Sequence, residues 1–253
     1  SAHDPLPAIA DVRVPLLRFV NSAWQAALKP LVPHRVLRAR RRFGAAGAVR
    51  YAWLTVLRKS RLRSDALPRP FAPRSVLFVC TGNVMRSVLA AEVFNATLLL
   101  RGVDDVAVDS AGLHAVAGEP PDHRTIAFAD AAGLYVAGHM SKRADDVDPA
   151  AFDAVFVMDR MHELEILERF PAAAKKTHLL GYCLAGYPRL EIPDPAFGSD
   201  RDCRDIFSIV YERAAALASL VADDASRASA PVTTRRGGDG GSATSGATPP
   251  AGA

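Results

Sequence analysis

The sequence predicts an α/β domain: a four-stranded parallel sheet flanked by helices, with a phosphate-binding loop after the first strand. Two observations carry that expectation. Between about Pro73 and Asp224, short apolar runs alternate with segments of helical periodicity, the order that builds a parallel sheet. At the first junction, a run ending in Cys80 turns through Gly82-Asn83 and opens a helical pattern, which gathers backbone N–H groups around one point.

The elements follow in order. Ser75 to Cys80 (SVLFVC) is short and nearly all apolar, the mark of a buried strand. Ser87 to Leu100 sets Leu89, Val93, Ala96 and Leu100 at helical spacing. Val106 to Asp109 (VAVD) reads as the second strand, Pro121 to Ala132 as a helix, and Ala154 to Met158 (AVFVM) as the third strand. Arg160 to Phe170 is a charged amphipathic helix and Thr177 to Leu180 the fourth strand. Arg201 to Ala222 closes the domain as a long helix, with Ile206, Ile209, Val210, Ala214 and Leu217 on one face.

Composition bounds the rest. At 253 residues and 49% hydrophobic, the chain has material for one sizeable core and an accessory segment. Three cysteines, Cys80, Cys183 and Cys203, form no C-x-x-C pair, which points away from a disulfide framework or a zinc ribbon. The expected compartment is the reducing cytoplasm, with no metal and no cofactor. The absence of a long apolar run argues against a membrane span. Charge is strongly asymmetric: Ser1 to Arg74 holds 15 Lys and Arg against 3 Asp and Glu, a net +12, and the remainder carries −8. Residues 1–72 therefore read as a basic, partly helical N-terminal extension, with charge concentrated in Arg35 to Arg42 (RVLRARRR) and Arg58 to Arg63 (RKSRLR). Val49, Trp53, Leu54 and Leu57 add a short apolar stripe at helical spacing. Such a segment suits an anionic membrane surface; nucleic acid, an acidic protein and a solvated helix packed partly on the main domain compete with that reading. Sequence-specific nucleic-acid binding is not expected. Residues 225–253, mostly Gly, Ser, Thr, Ala and Pro, read as a disordered tail.

The chemistry lies in Cys80-Thr81-Gly82-Asn83-Val84-Met85-Arg86-Ser87. A cysteine at a helix N-terminus gains thiolate character from the converging N–H groups and the helix dipole. Gly82 permits backbone angles closed to other residues, and Asn83 tolerates the left-handed conformation, so the loop can curl around a tetrahedral oxyanion. Arg86 has the reach and geometry to hold two phosphoryl oxygens, and Ser87 can donate to the sulfur. No nucleotide-type glycine loop, G-x-x-x-x-G-K-[ST] or G-x-G-x-x-G after a strand, is present. The same cysteine read in isolation would be an ordinary buried thiol.

This loop resembles that of the low-molecular-weight protein tyrosine phosphatases, C-x-G-N-x-C-R-S. The resemblance extends through Asp109-Ser110-Ala111-Gly112, Gly118-Glu119-Pro120-Pro121-Asp122, Phe152-Asp153 to Met158-Asp159, and Ile192-Pro193-Asp194-Pro195. It implies that Cys80 attacks phosphorus, Arg86 clamps the phosphate, and Asp194 serves as general acid and then base. Thr81, Gly82, Asn83, Val84, Met85 and Ser87 would complete the phosphate-binding loop, with His139 supporting its shape. The short Gly112 to Gly118 loop is most similar to bacterial members, which implies a phosphotyrosine protein as substrate, specifically a bacterial tyrosine kinase that regulates polysaccharide export. Three departures stand out. Met85 replaces the family's second loop cysteine, which removes the disulfide that guards the oxidised nucleophile. Ala196 takes the place of an aromatic after Asp194-Pro195, with Phe197 next. His114 and Ala115 stand where many members have tryptophan. Val84 is aliphatic, as in tyrosine phosphatases, where arginine phosphatases of the same fold carry threonine. Two alternatives are an arsenate reductase of the same fold, which needs two further cysteines close together, and a non-enzymatic phosphotyrosine-binding protein.

Overall fold

A computed structural model describes residues 32–59 and 66–229. Strand β1 (Ser75–Cys80) sends Val76, Phe78 and Cys80 into one apolar cluster and Leu77 and Val79 into another. This period-two split explains a strand with almost no polar residue, because both of its faces are covered. Its parallel neighbours are β2 (Ala107–Gly112) and β3 (Ala154–Val157), and β4 (Thr177–Leu179) pairs with β3, giving the order β2-β1-β3-β4. The chain thus leaves β1 toward opposite sides of the sheet for β2 and β3. In a parallel sheet such a reversal opens a crevice at the carboxyl end of the strand, here at Cys80.

Helices α2 (Arg86–Leu100) and α5 (Asp200–Ser229) cover the Phe78 face, where Leu89, Val93 and Phe94 meet Phe207, Val210 and Leu217. Phe78 stacks on Phe156 with ring centroids 5.6 Å apart and meets Phe94 edge-on at 5.4 Å. Helix α3 (His123–Ala131) buries Ala129 in the same cluster. Helix α4 (Arg160–Arg169) covers the other face through Ile166, which packs with Val155, Val157 and Leu179.

The element boundaries differ from the sequence reading in instructive ways. Strand β2 continues three residues past Asp109, because Ser110-Ala111-Gly112 pairs with Phe78-Val79-Cys80 instead of turning. Gly112 is required there: a Cβ would fall 2.7 Å from Thr81 O and 2.9 Å from Asn83 N. Helix α3 begins at His123, since the Asp122 side chain caps it by accepting from Arg124 N. Helix α5 runs on to Ser229, so residues 225–229, assigned by composition to the disordered tail, are helical. Its buried Asp224 carboxylate accepts from Phe71 N and Arg69 Nη2, each at 2.7 Å. Leu67 and Phe71, ahead of the expected boundary at Pro73, are buried in the main cluster. Residues 1–31, 60–65 and 230–253 lie outside the described residues, and with them most of the Arg58 to Arg63 run.

The basic extension contributes α1 (Val32–Lys59), kinked at Gly44 with φ 69°. It docks on α4: Ala39 and Tyr51 pack with Leu164, Arg42 pairs with Glu165 at 2.7 Å, and Arg50 pairs with Glu168. Arg160 Nη1 donates to Thr55 Oγ1 at 2.9 Å. Docking divides the expected apolar stripe. Leu54 lies one residue, about 100° of helix, beyond Trp53 and is buried with Tyr51, while Val49 and Trp53 face solvent. The Leu57 side chain lies outside the described residues. Among the described residues, no helix is long and apolar enough to cross a membrane.

Candidate active site

Cys80 ends β1, buried, with its Sγ accepting from Asn83 N at 3.3 Å and 3.0 Å from Ser87 Oγ. Ser87 Oγ itself accepts from Asn83 Nδ2 at 3.0 Å, which leaves the serine proton to point at the sulfur. Helix α2 begins immediately after Met85, whose side chain makes no cap hydrogen bond. The first-turn N–H groups therefore carry the positive end of the helix into the loop without a side-chain competitor. The left-handed residue is Asn83, at φ 56°. Gly82 departs from the sequence reading: it has no positive φ, and a Cβ there would meet Val84 Cγ2 at an ordinary 3.6 Å. Val84 is half-buried and accepts through its carbonyl from Asp122 N, and Met85 is buried in the main core.

Asn83 is the hub of the loop. Fully buried, it donates through Nδ2 to Ser87 Oγ and, at 2.8 Å, to Ser110 Oγ, and its Oδ1 accepts from Lys142 N at 2.8 Å. His139 Nε2 lies 3.1 Å from both Asn83 O and Oδ1, two acceptors, so Nε2 carries the proton. Burial pushes the His139 pKa down, in keeping with a neutral ring that donates from Nε2.

Arg86 is 2% exposed, at the start of α2. Its Nη1 donates to Ile192 O at 3.1 Å and lies 3.7 Å from Asp159 Oδ2, and its Nη2 donates to Thr81 Oγ1 at 3.3 Å. The loop between β4 and α5 brings Asp194 Oδ2 to 2.9 Å from Arg86 Nη2. Asp194 is exposed on its other side, where Oδ1 accepts from Ala196 N. Cys80, Arg86, Asp194 and the loop Thr81–Ser87 thus converge at one end of the sheet, with His139 behind Asn83. Phe197 is fully exposed and Ala196 is exposed, so neither walls the crevice. His114 N donates to Thr81 O at 2.8 Å, and its ring pairs with buried Glu165. Burial lowers the His114 pKa more strongly than Glu165 raises it.

Three partners of the site lie outside the predicted site residues. Asp159 caps α4 by accepting from Met161 N and His162 N while facing Arg86. His162, buried three residues on, places Nε2 2.9 Å from Thr81 Oγ1, and burial pushes its pKa down to about 4. Arg124 binds Asp122 through two 2.9 Å contacts, Nε to Oδ1 and Nη2 to Oδ2, and reaches Gly198 O and Cys203 Sγ, tying the Val84 side of the loop to the segment after Asp194. The Arg124 hydrogen bond holds the Asp122 carboxyl below its usual range. Only the Asp159 cap had a local signal, an Asp at the start of an amphipathic run. Cys183 and Cys203 are buried free thiols.

Comparison with known proteins agrees with this geometry. Residues 75–227 match the family model described as low molecular weight phosphotyrosine protein phosphatase. The Escherichia coli K12 low molecular weight protein-tyrosine-phosphatase Etp is 31% identical over 137 residues, covering 54% of this chain and 84% of Etp. The rat low molecular weight phosphotyrosine protein phosphatase is 32% identical over 145 residues, covering 55% and 88%. Among solved structures, the tyrosine phosphatase Wzb from Escherichia coli K30 in complex with sulphate superposes with a TM-score of 0.52 at 27% identity, covering 58% of this chain and 97% of its own. The YwlE arginine phosphatase from Geobacillus stearothermophilus gives 0.55 at 28% identity, covering 61% and 97%. Fold, loop and matched length lead to one assignment: the chain belongs to the low molecular weight phosphotyrosine protein phosphatase family.

Proposed function

We propose that the protein hydrolyses phosphotyrosine in protein substrates through a phosphocysteine intermediate. The observation that supports it most is the convergence of Arg86 and Asp194, at 2.9 Å, on the loop that holds Cys80. In the first step the Cys80 thiolate attacks phosphorus in line, the S–P bond forms and the P–O bond to the tyrosine breaks. Protonated Asp194 gives its proton to the departing phenolic oxygen. Arg86 and the loop N–H groups stabilise charge on the equatorial oxygens, and Ser87 stabilises the sulfur. In the second step Asp194 takes a proton from water as its oxygen attacks phosphorus, releasing phosphate and the thiolate. Glycine at Gly82, which nothing in the chain's own packing demands, leaves the backbone open to a close phosphoryl oxygen.

The test is metal-free hydrolysis of an aryl phosphate and of a phosphotyrosine peptide. Cys80→Ser should abolish turnover and Asp194→Ala should reduce kcat by about 10²–10³. Wild-type rates in both variants would sink the reading. Aliphatic Val84 favours phosphotyrosine over phosphoarginine, so preferential turnover of a phosphoarginine peptide would reassign the substrate. Thiol-dependent arsenate reduction would instead support the reductase.

Two finer elements belong to the same reading. The substrate is a bacterial tyrosine kinase that controls polysaccharide export, a reading supported by the likeness to bacterial members such as Etp and Wzb. Helix α1 brings the enzyme to an anionic membrane surface, supported by exposed Arg38, Arg40, Arg41 and Arg42 and by outward-facing Val49 and Trp53. Full-length protein should pellet with anionic vesicles and lose that binding in a triple Arg38→Gln, Arg40→Gln, Arg41→Gln variant. Equal pelleting of the two would remove the membrane assignment.

A further inference from the structure

The His162 ring is 5% exposed and lies at the edge of the phosphate loop, from a helix that supplies none of the reacting groups. Its Nε2 is 2.9 Å from Thr81 Oγ1, and the same oxygen is 3.3 Å from Arg86 Nη2. Proton counting fixes the direction of the Arg86 contact, and the carboxylate beside the ring favours one direction for the other. A guanidinium nitrogen only donates, so Oγ1 accepts from Arg86. The threonine hydroxyl has one proton of its own, and His162 Nε2 is the acceptor beside it. Were Nε2 protonated instead, the neutral ring would turn a bare Nδ1 lone pair toward Asp159 Oδ1, 3.3 Å away. A proton on Nδ1 faces the Asp159 carboxylate electrostatically, without a hydrogen bond, and leaves the Nε2 lone pair to the Thr81 hydroxyl.

We propose that His162 is a positioning residue for the phosphate clamp: its Nε2 accepts a hydrogen bond from the Thr81 hydroxyl, turns the Oγ1 lone pairs toward Arg86 Nη2, and so fixes the guanidinium plane. The inference rests on the reading of Arg86 as the group that holds phosphate. Its reach is plain from the contacts. Arg86 has three further partners, Ile192 O and Asp159 Oδ2 at Nη1 and Asp194 at Nη2, but Asp194 must be free to donate and accept protons during turnover. Thr81, held by His162, is the Nη2 partner with no chemical duty elsewhere in the cycle. The ring sits in a field set by Asp159 on its own helix, Arg86 on α2, Asp194 on the acid loop and Arg42 on α1.

The experiment compares full-length His162→Ala, Thr81→Val and the double variant, reading kcat/KM on p-nitrophenyl phosphate and inhibition by inorganic phosphate. Each single change should lower kcat/KM about tenfold and weaken phosphate inhibition in parallel, while the double variant should be no worse than either single one, because both break one relay. His162→Gln, which keeps an acceptor at the Nε2 position, should recover most of the loss. Additive losses near a hundredfold, unchanged phosphate inhibition, or a glutamine variant as poor as alanine would each overturn the assignment. Melting curves accompany the kinetics, and if His162→Ala unfolds, Thr81→Val and His162→Gln carry the test. Cys80→Ser separates the two levels: an inactive Cys80→Ser beside unaffected His162 variants removes the positioning role alone, whereas an active Cys80→Ser removes the catalytic reading beneath it.

Discussion

Asn83→Ala removes a fully buried side chain that makes four hydrogen bonds, two donated to Ser87 and Ser110 and two accepted from Lys142 N and His139. His139 keeps the Asn83 carbonyl as an alternative acceptor at 3.1 Å, so three bonds are lost without replacement. At about 1 kcal/mol net each, that is about 3 kcal/mol. Position 83 is also left-handed at φ 56°, where alanine costs about 1 kcal/mol more than asparagine. The expected loss of about 4 kcal/mol is a large part of the 5–15 kcal/mol that holds an ordinary domain together. With a urea dependence of about 2 kcal/mol per molar, the unfolding midpoint should fall by about 2 M. Far-UV circular dichroism against urea reads it. Asn83→Asp, which keeps the left-handed preference and the acceptors but loses the donors, should lose roughly half as much. A shift below about 0.5 M for Asn83→Ala would refute the view that this network holds the loop.

Acid should destabilise the fold earlier than its carboxylates alone would dictate. Burial holds His162 at about 4 in the fold against 6.5 when free, so the unfolded chain binds a proton between those values that the folded chain does not. Stability is full above pH 6.5 and falls as pH drops toward 4, by on the order of 3 kcal/mol, with His139 adding in the same direction. Urea unfolding at pH 7 and pH 5 should show this fall in the wild type and less of it in His162→Gln; an identical fall in both would exclude His162 as its source. Glu165→Ala strips a 3%-exposed carboxylate from Arg42, Arg169 and His114. It should speed tryptic cleavage at Arg38 to Arg42, and unchanged cleavage would mean that α1 is held by its apolar contacts alone.

What the sequence made legible is what short-range geometry determines. Cys80, Asn83 and Ser87 lie within eight residues of one another, so a strand, a left-handed turn and a helix suffice to bring them together. Asp194, far away in sequence, is legible only through the family resemblance, and the loop after β4 brings it to Arg86. The left-handed position fell on Asn83 and not on Gly82, because composition says which residues tolerate a conformation but not which one bears it. The apolar run reads as a strand that ends at Asp109, yet parallel pairing with β1 carries it through Ser110-Ala111-Gly112, since buried backbone groups must find partners. His162 and Arg124 left no periodic or motif signal. Thr81 and Gly198 are distant in sequence from His162 and Arg124, and only the packed structure brings each pair together.

Helix α4 links the catalytic loop to the part of the chain outside the family match. Its first turn faces the site through Asp159 and His162, and Leu164, Glu165 and Glu168 hold α1. Arg160 joins the two sets: Nη1 donates to Thr55 on α1, and its backbone N–H donates to Glu191, next to the Ile192 carbonyl that accepts from Arg86. A buried, charge-assisted bond such as Arg160 to Thr55 contributes about 1.5–3 kcal/mol, comparable to tenfold or more in an equilibrium. Lifting α1 would break that bond and uncover Tyr51 and Leu164, so the cost is too large for α1 to sample the undocked state freely. The basic helix is therefore a wall of the catalytic unit and not a tether beside it. Whatever surface α1 meets is thus connected, through Arg160 and Glu191, to the backbone that anchors Arg86.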